Sequence, residues 1–128
     1  MRLLLDTSIV VPIARLELQS LTKTDRAAVS DPDNTLFVSV VALWEIAIKT
    51  RLRRLETRIL PRDLPAHLTG MGMQLLVVEA AHVLAELRTD VGTRDPFDRL
   101  LVAQCEVENL RLVTTDPALL KHPLAWRG

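Results

Sequence analysis

An unbroken apolar run, Leu3 to Leu5, opens the chain and is closed at once by Asp6-Thr7-Ser8. A short run that is apolar at every position is the pattern of a strand buried on both faces. Thr7 or Ser8 can cap a short helix reaching about Leu16. Leu21 to Val29 is polar and moderately helical, and the turn tetrad Asp31-Pro32-Asp33-Asn34 ends it. Leu36-Phe37-Val38 predicts a second strand. From Val40 to Leu55 the period is helical, with Leu43, Ile46, Ala47 and Leu52 forming an apolar stripe. Pro61 to Met71 predicts another helix, with Pro65 tolerated in or before its first turn. Leu75 to Val78 follows as a third strand and Glu79 to Leu87 as a helix. Asp95-Pro96-Phe97 opens a helix to about Glu108, Arg111 to Thr114 is a fourth strand, and Pro117 to Leu120 a single helical turn. Leu124-Ala125 adds a short last strand.

No repeat, low-complexity tract or Gly/Ser linker interrupts this pattern, which predicts one domain over residues 1–128. Strands alternate with helices, so the expected class is α/β, a mainly parallel sheet of four to five strands with helices on both faces. In such sheets ligands bind outside the carboxyl ends of the strands. The residues just after each strand therefore carry the interest.

Composition narrows the field. Apolar residues make up 48% and charged residues 25% of 128, a globular rather than a disordered balance. Sixteen basic and sixteen acidic residues cancel, which excludes a strongly basic coat for nucleic acid but not a local patch. The single cysteine, Cys105, rules out an internal disulfide and a cysteine-based zinc site. No window approaches the ~18 apolar residues of a membrane span. Asp6 also cuts the first apolar run far short of a secretory leader. The cytoplasm is the simplest compartment for such a chain.

Acids occupy the strand ends. Asp6 directly follows the first strand, and Asp116 follows the fourth in Leu112-Val113-Thr114-Thr115-Asp116. Glu45 lies inside the apolar helix after the second strand, and Asp95 and Asp98 share one face in the first turn of theirs. A parallel sheet brings all of these toward one edge. Carboxylates that close repel by several kcal/mol per pair at an effective dielectric of about 20. Protonation or a cation must offset that repulsion. Oxygen-only donors suit hard ions, Mg²⁺ or Mn²⁺. A carboxylate-held ion orients water, lowers its pKa and stabilises charge on a phosphate in flight, so the expected chemistry is metal-dependent phosphodiester or phosphoryl transfer. Simpler roles stand beside this one. Asp6, Asp95 and Asp116 each suit a helix cap or turn, Asp98 a favourable first-turn acid, and Glu45 an i,i+4 partner of Lys49.

Four segments together carry a resemblance. They are Leu4-Leu5-Asp6-Thr7-Ser8, Ser39 to Lys49 with Trp44-Glu45-Ile46 at its centre, Arg94-Asp95-Pro96-Phe97-Asp98-Arg99-Leu100-Leu101, and Leu112 to Asp116. In order, acids and spacing the chain resembles PIN-domain nucleases, and among them the VapC-type toxins of bacterial type II toxin–antitoxin modules. The Asp-Pro-Phe-Asp-Arg-Leu-Leu block after a Trp-Glu helix is the specific part. The resemblance implies a three-layer α/β/α fold and a Mg²⁺- or Mn²⁺-dependent endoribonuclease. It places Asp6, Glu45, Asp98 and Asp116 on the acidic quartet that holds one or two ions. Asp95 becomes an auxiliary acid, and Ser8, Ser39 and Thr115 polar positions near the metal. It further implies a homodimer, an RNA substrate and a small antitoxin that covers the acidic groove. Ile9, Val10, Ile13 and Leu16 are candidates to line partner contacts. One departure is visible: similar sequences often carry His before the Arg-Asp-Pro-Phe-Asp block, where this chain has Thr93.

The segment from Lys49 to Arg62 holds Lys49, Arg51, Arg53, Arg54, Arg58 and Arg62 against Glu56 alone. That excess suits a phosphate backbone, with Lys49, Arg51, Arg53 and Arg54 as RNA-binding candidates. It equally suits a helix end whose bases complement the dipole. With Phe37, Trp44, Phe97 and Trp126 the only aromatics, a multi-ring stacking platform is not expected, and Trp44 and Phe97 are assigned to the core. Cys105 is expected to be buried, and His67, His82 and His122 fit no motif. Two other readings remain: a catalytically silent RNA- or antitoxin-binding module on the same fold, and a receiver-like phosphoacceptor. The receiver would want two acids after the first strand and a late lysine, and a dehalogenase-like phosphatase a second acid where Ser8 stands.

Overall fold

The computed structural model describes residues 1–128. Four strands, β1 (Arg2–Leu5), β2 (Thr35–Ser39), β3 (Gln74–Leu76) and β4 (Arg111–Val113), form one sheet in the order β3-β2-β1-β4. All three pairings are parallel, with Leu5 opposite Val38 and Val113, and Val38 opposite Leu75. Between and after them run α1 (Thr7–Ala14), α2 (Lys23–Ser30), α3 (Val40–Arg51), α4 (Leu64–Gly70), α5 (Ala80–Val83), α6 (Pro96–Glu108) and α7 (Pro117–Leu120). The expected last strand is reduced to one parallel bridge, Leu112 to Ala125.

The period-2 geometry of the strands sorts their leucines into two cores. Leu3 and Leu5 of β1, with Leu36 and Val38 of β2, face α1, α3 and α4 through Ile9, Ile13, Ala42, Ile46, Leu64 and Leu68. Leu4, Phe37 and Leu112 point the other way, against Leu101, Val102 and Cys105 of α6 and Leu119 of α7. Burial on both faces explains why β1 reads as an unbroken apolar run. The layers are helix, sheet, helix, the three-layer α/β/α arrangement expected from the sequence.

Several boundaries move. α3 ends at Arg51, not Leu55, because Arg53 adopts a left-handed backbone (φ 57°) and the Arg54 amide returns to the Lys49 carbonyl. A non-glycine residue in that closing turn leaves no sequence signal for the stop. Leu52 falls beyond it and is exposed, so it is not part of the apolar stripe. The helix expected over 79–87 shrinks to α5, whose Val83 and the following Leu84 find no apolar neighbour to bury them. Ile9, Val10 and Ile13 are core residues, leaving Leu16 as the exposed member of that group. Trp44 is 59% exposed and is corrected from core to surface. Cys105 is buried as expected, and burial pushes its thiol far above the ordinary range. No helix is long and apolar enough to cross a membrane.

Candidate active site

The carboxyl edge of the sheet is where the proposed acids gather, and the local structure sets each one differently. Asp6 occupies the N-cap position of α1 yet makes no side-chain cap. Its Oδ2 instead accepts from Ser8 Oγ at 2.8 Å and from Thr114 Oγ1 at 2.7 Å. Only 4% of the residue is exposed. Burial raises its pKa, and the Thr114 and Ser8 hydroxyls, with the Thr7 and Ser8 amides, pull in the other direction. A carboxylate that is buried, and bonded to hydroxyls rather than to a cation, is costly to keep charged.

Asp98 lies in the first turn of α6, which Pro96 starts and Asp95 caps through a 2.9 Å bond from the Phe97 amide. Its carboxyl is pushed up to about 6, first by burial and next by the charge of Asp95. The charges of Asp6 and Asp116 raise it further, while a 3.1 Å bond from Thr93 Oγ1 lowers it. Asp98 therefore senses acids arriving from β1, from β4 and from its own helix. Asp116 caps α7 through Ala118 N at 2.9 Å, and its own amide donates to Thr114 Oγ1.

Glu45, 7% exposed, stands slightly apart. Its Oε1 accepts from Thr7 Oγ1 at 2.8 Å, which ties α3 to the residue after Asp6. Its Oε2 meets Lys49 Nζ at 2.6 Å, the i,i+4 pair open in the sequence. The only other contact between a basic and an acidic side chain joins His82 to Glu108 at 3.2 Å, so Asp6, Asp95, Asp98 and Asp116 have no salt-bridge partner.

The other positions from the sequence fall as follows. Ser8 is at the centre, since it donates to Asp6 and accepts from the Thr115 amide at 3.0 Å. Thr115 thus approaches through its backbone, and the hydroxyl that reaches Asp6 belongs to Thr114. Ser39 is fully buried as the cap of α3, accepting from Val41 N. Arg51 bonds the Ala47 carbonyl, and Arg53 and Arg54 are exposed in the turn after α3. Sequence reasoning missed Thr7, Thr93 and Thr114 as partners of Glu45, Asp98 and Asp6. The available signal was a hydroxyl within five residues of an acid, or at a neighbouring strand end.

An all-oxygen donor set with unpaired, mutually repelling carboxylates fits a hard divalent cation. No three Asp, Glu, His or Cys side chains stand close enough to hold one between them. An ion here would use one or two carboxylates and fill its other positions with water or phosphate oxygens, the mode magnesium favours.

Residues 3–123 match the family model of the PIN domain. Among solved structures the chain is similar, with a TM-score of 0.68 and 18% identity, to one in a crystal structure of VapBC2 from Rickettsia felis bound to a DNA fragment from their promoter. That likeness covers 99% of this chain and 100% of the other. No curated protein matches the sequence.

Proposed function

Because this chain belongs to the PIN domain family, we propose that it is a divalent-metal-dependent endoribonuclease, the VapC-type toxin of a toxin–antitoxin pair. One observation carries the reading. Asp6 is buried at the carboxyl edge of a parallel sheet with hydroxyls as its partners, and the charges of Asp6, Asp95 and Asp116 bear on Asp98 with no cation paired to any of the four. The cluster opposes folding unless a positive group arrives, which is a reason to expect one in function.

Asp6 and Asp98 would hold the ion, with Glu45 and Asp116 taking part through water. The bound ion supplies charge neutralisation for a phosphate and a lowered pKa for a water beside it. The chain's own residues do the positioning. Ser8 and Thr114 fix one oxygen of Asp6, and Thr93 fixes one oxygen of Asp98. Thr7 holds Glu45 toward the same edge, and Lys49 bonds its other oxygen. No histidine or lysine is needed as a base. A small antitoxin and a second copy of the chain are the proposed partners. The likeness to VapBC2 from Rickettsia felis, crystallised bound to a fragment of promoter DNA, supports the first.

The experiment is incubation of the purified chain with total bacterial RNA, in Mg²⁺ or Mn²⁺ and in excess chelator, beside Asp98→Asn. Discrete fragments are expected with the metal, reduced at least a hundredfold in Asp98→Asn and absent with chelator. Equal cleavage by the variant or in chelator overturns the assignment.

A further inference from the structure

We infer that the groove beside Trp44 is a base-binding subsite, in which one unstacked base of a single-stranded RNA lies on the indole. The inference rests on the nuclease reading above and names where its substrate is gripped.

Trp44 is 59% exposed although its helix neighbours Glu45 and Ile46 are buried. One side of its ring is braced edge-to-face by Phe97, with centroids 5.3 Å apart and planes at 77°. The ring is therefore held in orientation while much of it faces solvent. It opens on a groove of about 660 Å³ walled by Leu43, Leu60 and Pro61, with Arg51 and Arg62 among its lining residues and no acid. The aromatic pair adjoins both ligand-bearing helices, since Trp44 precedes Glu45 and Phe97 precedes Asp98.

These features suit a nucleotide. Single-stranded RNA is recognised by splayed bases stacked on aromatic rings, with cations on the flanking phosphates. A flat, neutral base needs one fixed aromatic face and apolar walls, and Arg51 and Arg62 offer forked donors for phosphate oxygens. Val40, Leu43, Trp44 and Ala47 line the groove from one helix, and Trp44 is the one of them that offers an open ring. The positive charge of Arg51 and Arg62, with no acid in the lining, points to a phosphate-bearing occupant. Arg53, Arg54 and Arg58 of the same segment are exposed as well.

The test uses the intact chain in excess chelator, so that binding is read without cleavage. Trp44 and Trp126 are the two tryptophans, so Trp126→Phe leaves Trp44 as sole reporter. Oligouridylate and oligoadenylate of about ten nucleotides are titrated beside an abasic ribose-phosphate oligomer of equal length. The expected result is fluorescence quenching by the base-bearing oligomers and binding about tenfold weaker for the abasic one. Trp44→Leu should weaken base-bearing oligomers about tenfold and leave the abasic one unchanged, and Trp44→Phe should recover most of the loss. Equal binding of normal and abasic oligomers by the intact fold overturns the subsite, whether or not Trp44→Leu folds. Quenching by an acidic peptide but not by RNA overturns it in favour of a protein partner. Base-dependent quenching without metal-dependent cleavage of any RNA instead sinks the nuclease reading and keeps the subsite.

Discussion

Asp6 and Asp116 both stand at the N-cap of the helix that follows a strand, yet only Asp116 spends a carboxylate oxygen on capping it. The difference lies in the hydroxyls of Ser8 and Thr114, which draw Asp6 inward. That the acids matter was legible, because each sits just past an apolar run. Which hydroxyl serves which acid was not: Thr114 and Thr115 are adjacent, and only the end of β4 decides that Thr114 turns inward. Asp98 gives the prediction at this scale. Its carboxyl sits at about 6 in the fold against an ordinary 3.8. Below about pH 4 the group is protonated in both states and costs nothing. Between about 4 and 6 the unfolded chain gives up the proton first, so stability falls with rising pH, and above 6 the full penalty remains. Asp98→Asn should therefore stabilise the metal-free protein at pH 7, by about 1 kcal/mol once solvent screening is allowed for. Denaturant melts at pH 3.5 and pH 7 check it: the advantage should vanish at the lower pH, and an equal advantage at both would refute it.

At the scale of elements, the strands were readable because burial on both faces leaves an unmistakable apolar run, while the helix ends depended on geometry. α6 began where Asp95-Pro96 said it would, since a capping acid and a proline at the first position are local signals. α3 stopped early through a left-handed arginine, and α5 stayed short for want of a neighbour, neither of which is local information. Asp95 joins the two scales. It caps α6, and its charge is the largest electrostatic cause of the Asp98 shift. The two roles separate by substitution. Asp95→Ala should lose about 1 kcal/mol with the cap, partly offset by relief of repulsion. Asparagine caps as well as aspartate, so Asp95→Asn should be at least as stable as the parent at pH 7. Urea titrations of the three proteins decide it; if the asparagine form falls with the alanine form, capping is not what Asp95 contributes.

On the scale of the whole molecule, the sheet sorts its apolar residues onto both faces and sends its acids to one edge, so stability and chemistry are built from different residues. The edge works against folding, because it gathers unpaired carboxylates with no cation nearby. Proteins commonly accept such a cost where function needs it. A ligand that binds only the folded state returns stability as RT ln(1 + [L]/Kd), about 2.7 kcal/mol at a hundredfold excess over Kd. For a chain of this length that is a rise of roughly 10 °C in melting temperature. Mg²⁺ or Mn²⁺ should thus raise the melting temperature of the parent in a saturable way, whereas equal ionic strength from NaCl should not. Asp6→Asn and Asp98→Asn, each with one ligand removed, should start from a higher metal-free temperature and gain only a few degrees or none. The crossing of the two trends is the signature, because a nonspecific salt effect would shift all three proteins alike. A parent indifferent to both ions, with its acids intact and its fold unchanged, would mean that the cluster is relieved by something other than a divalent metal. The basic segment from Lys49 to Arg62 would then be the first place to look for what relieves it.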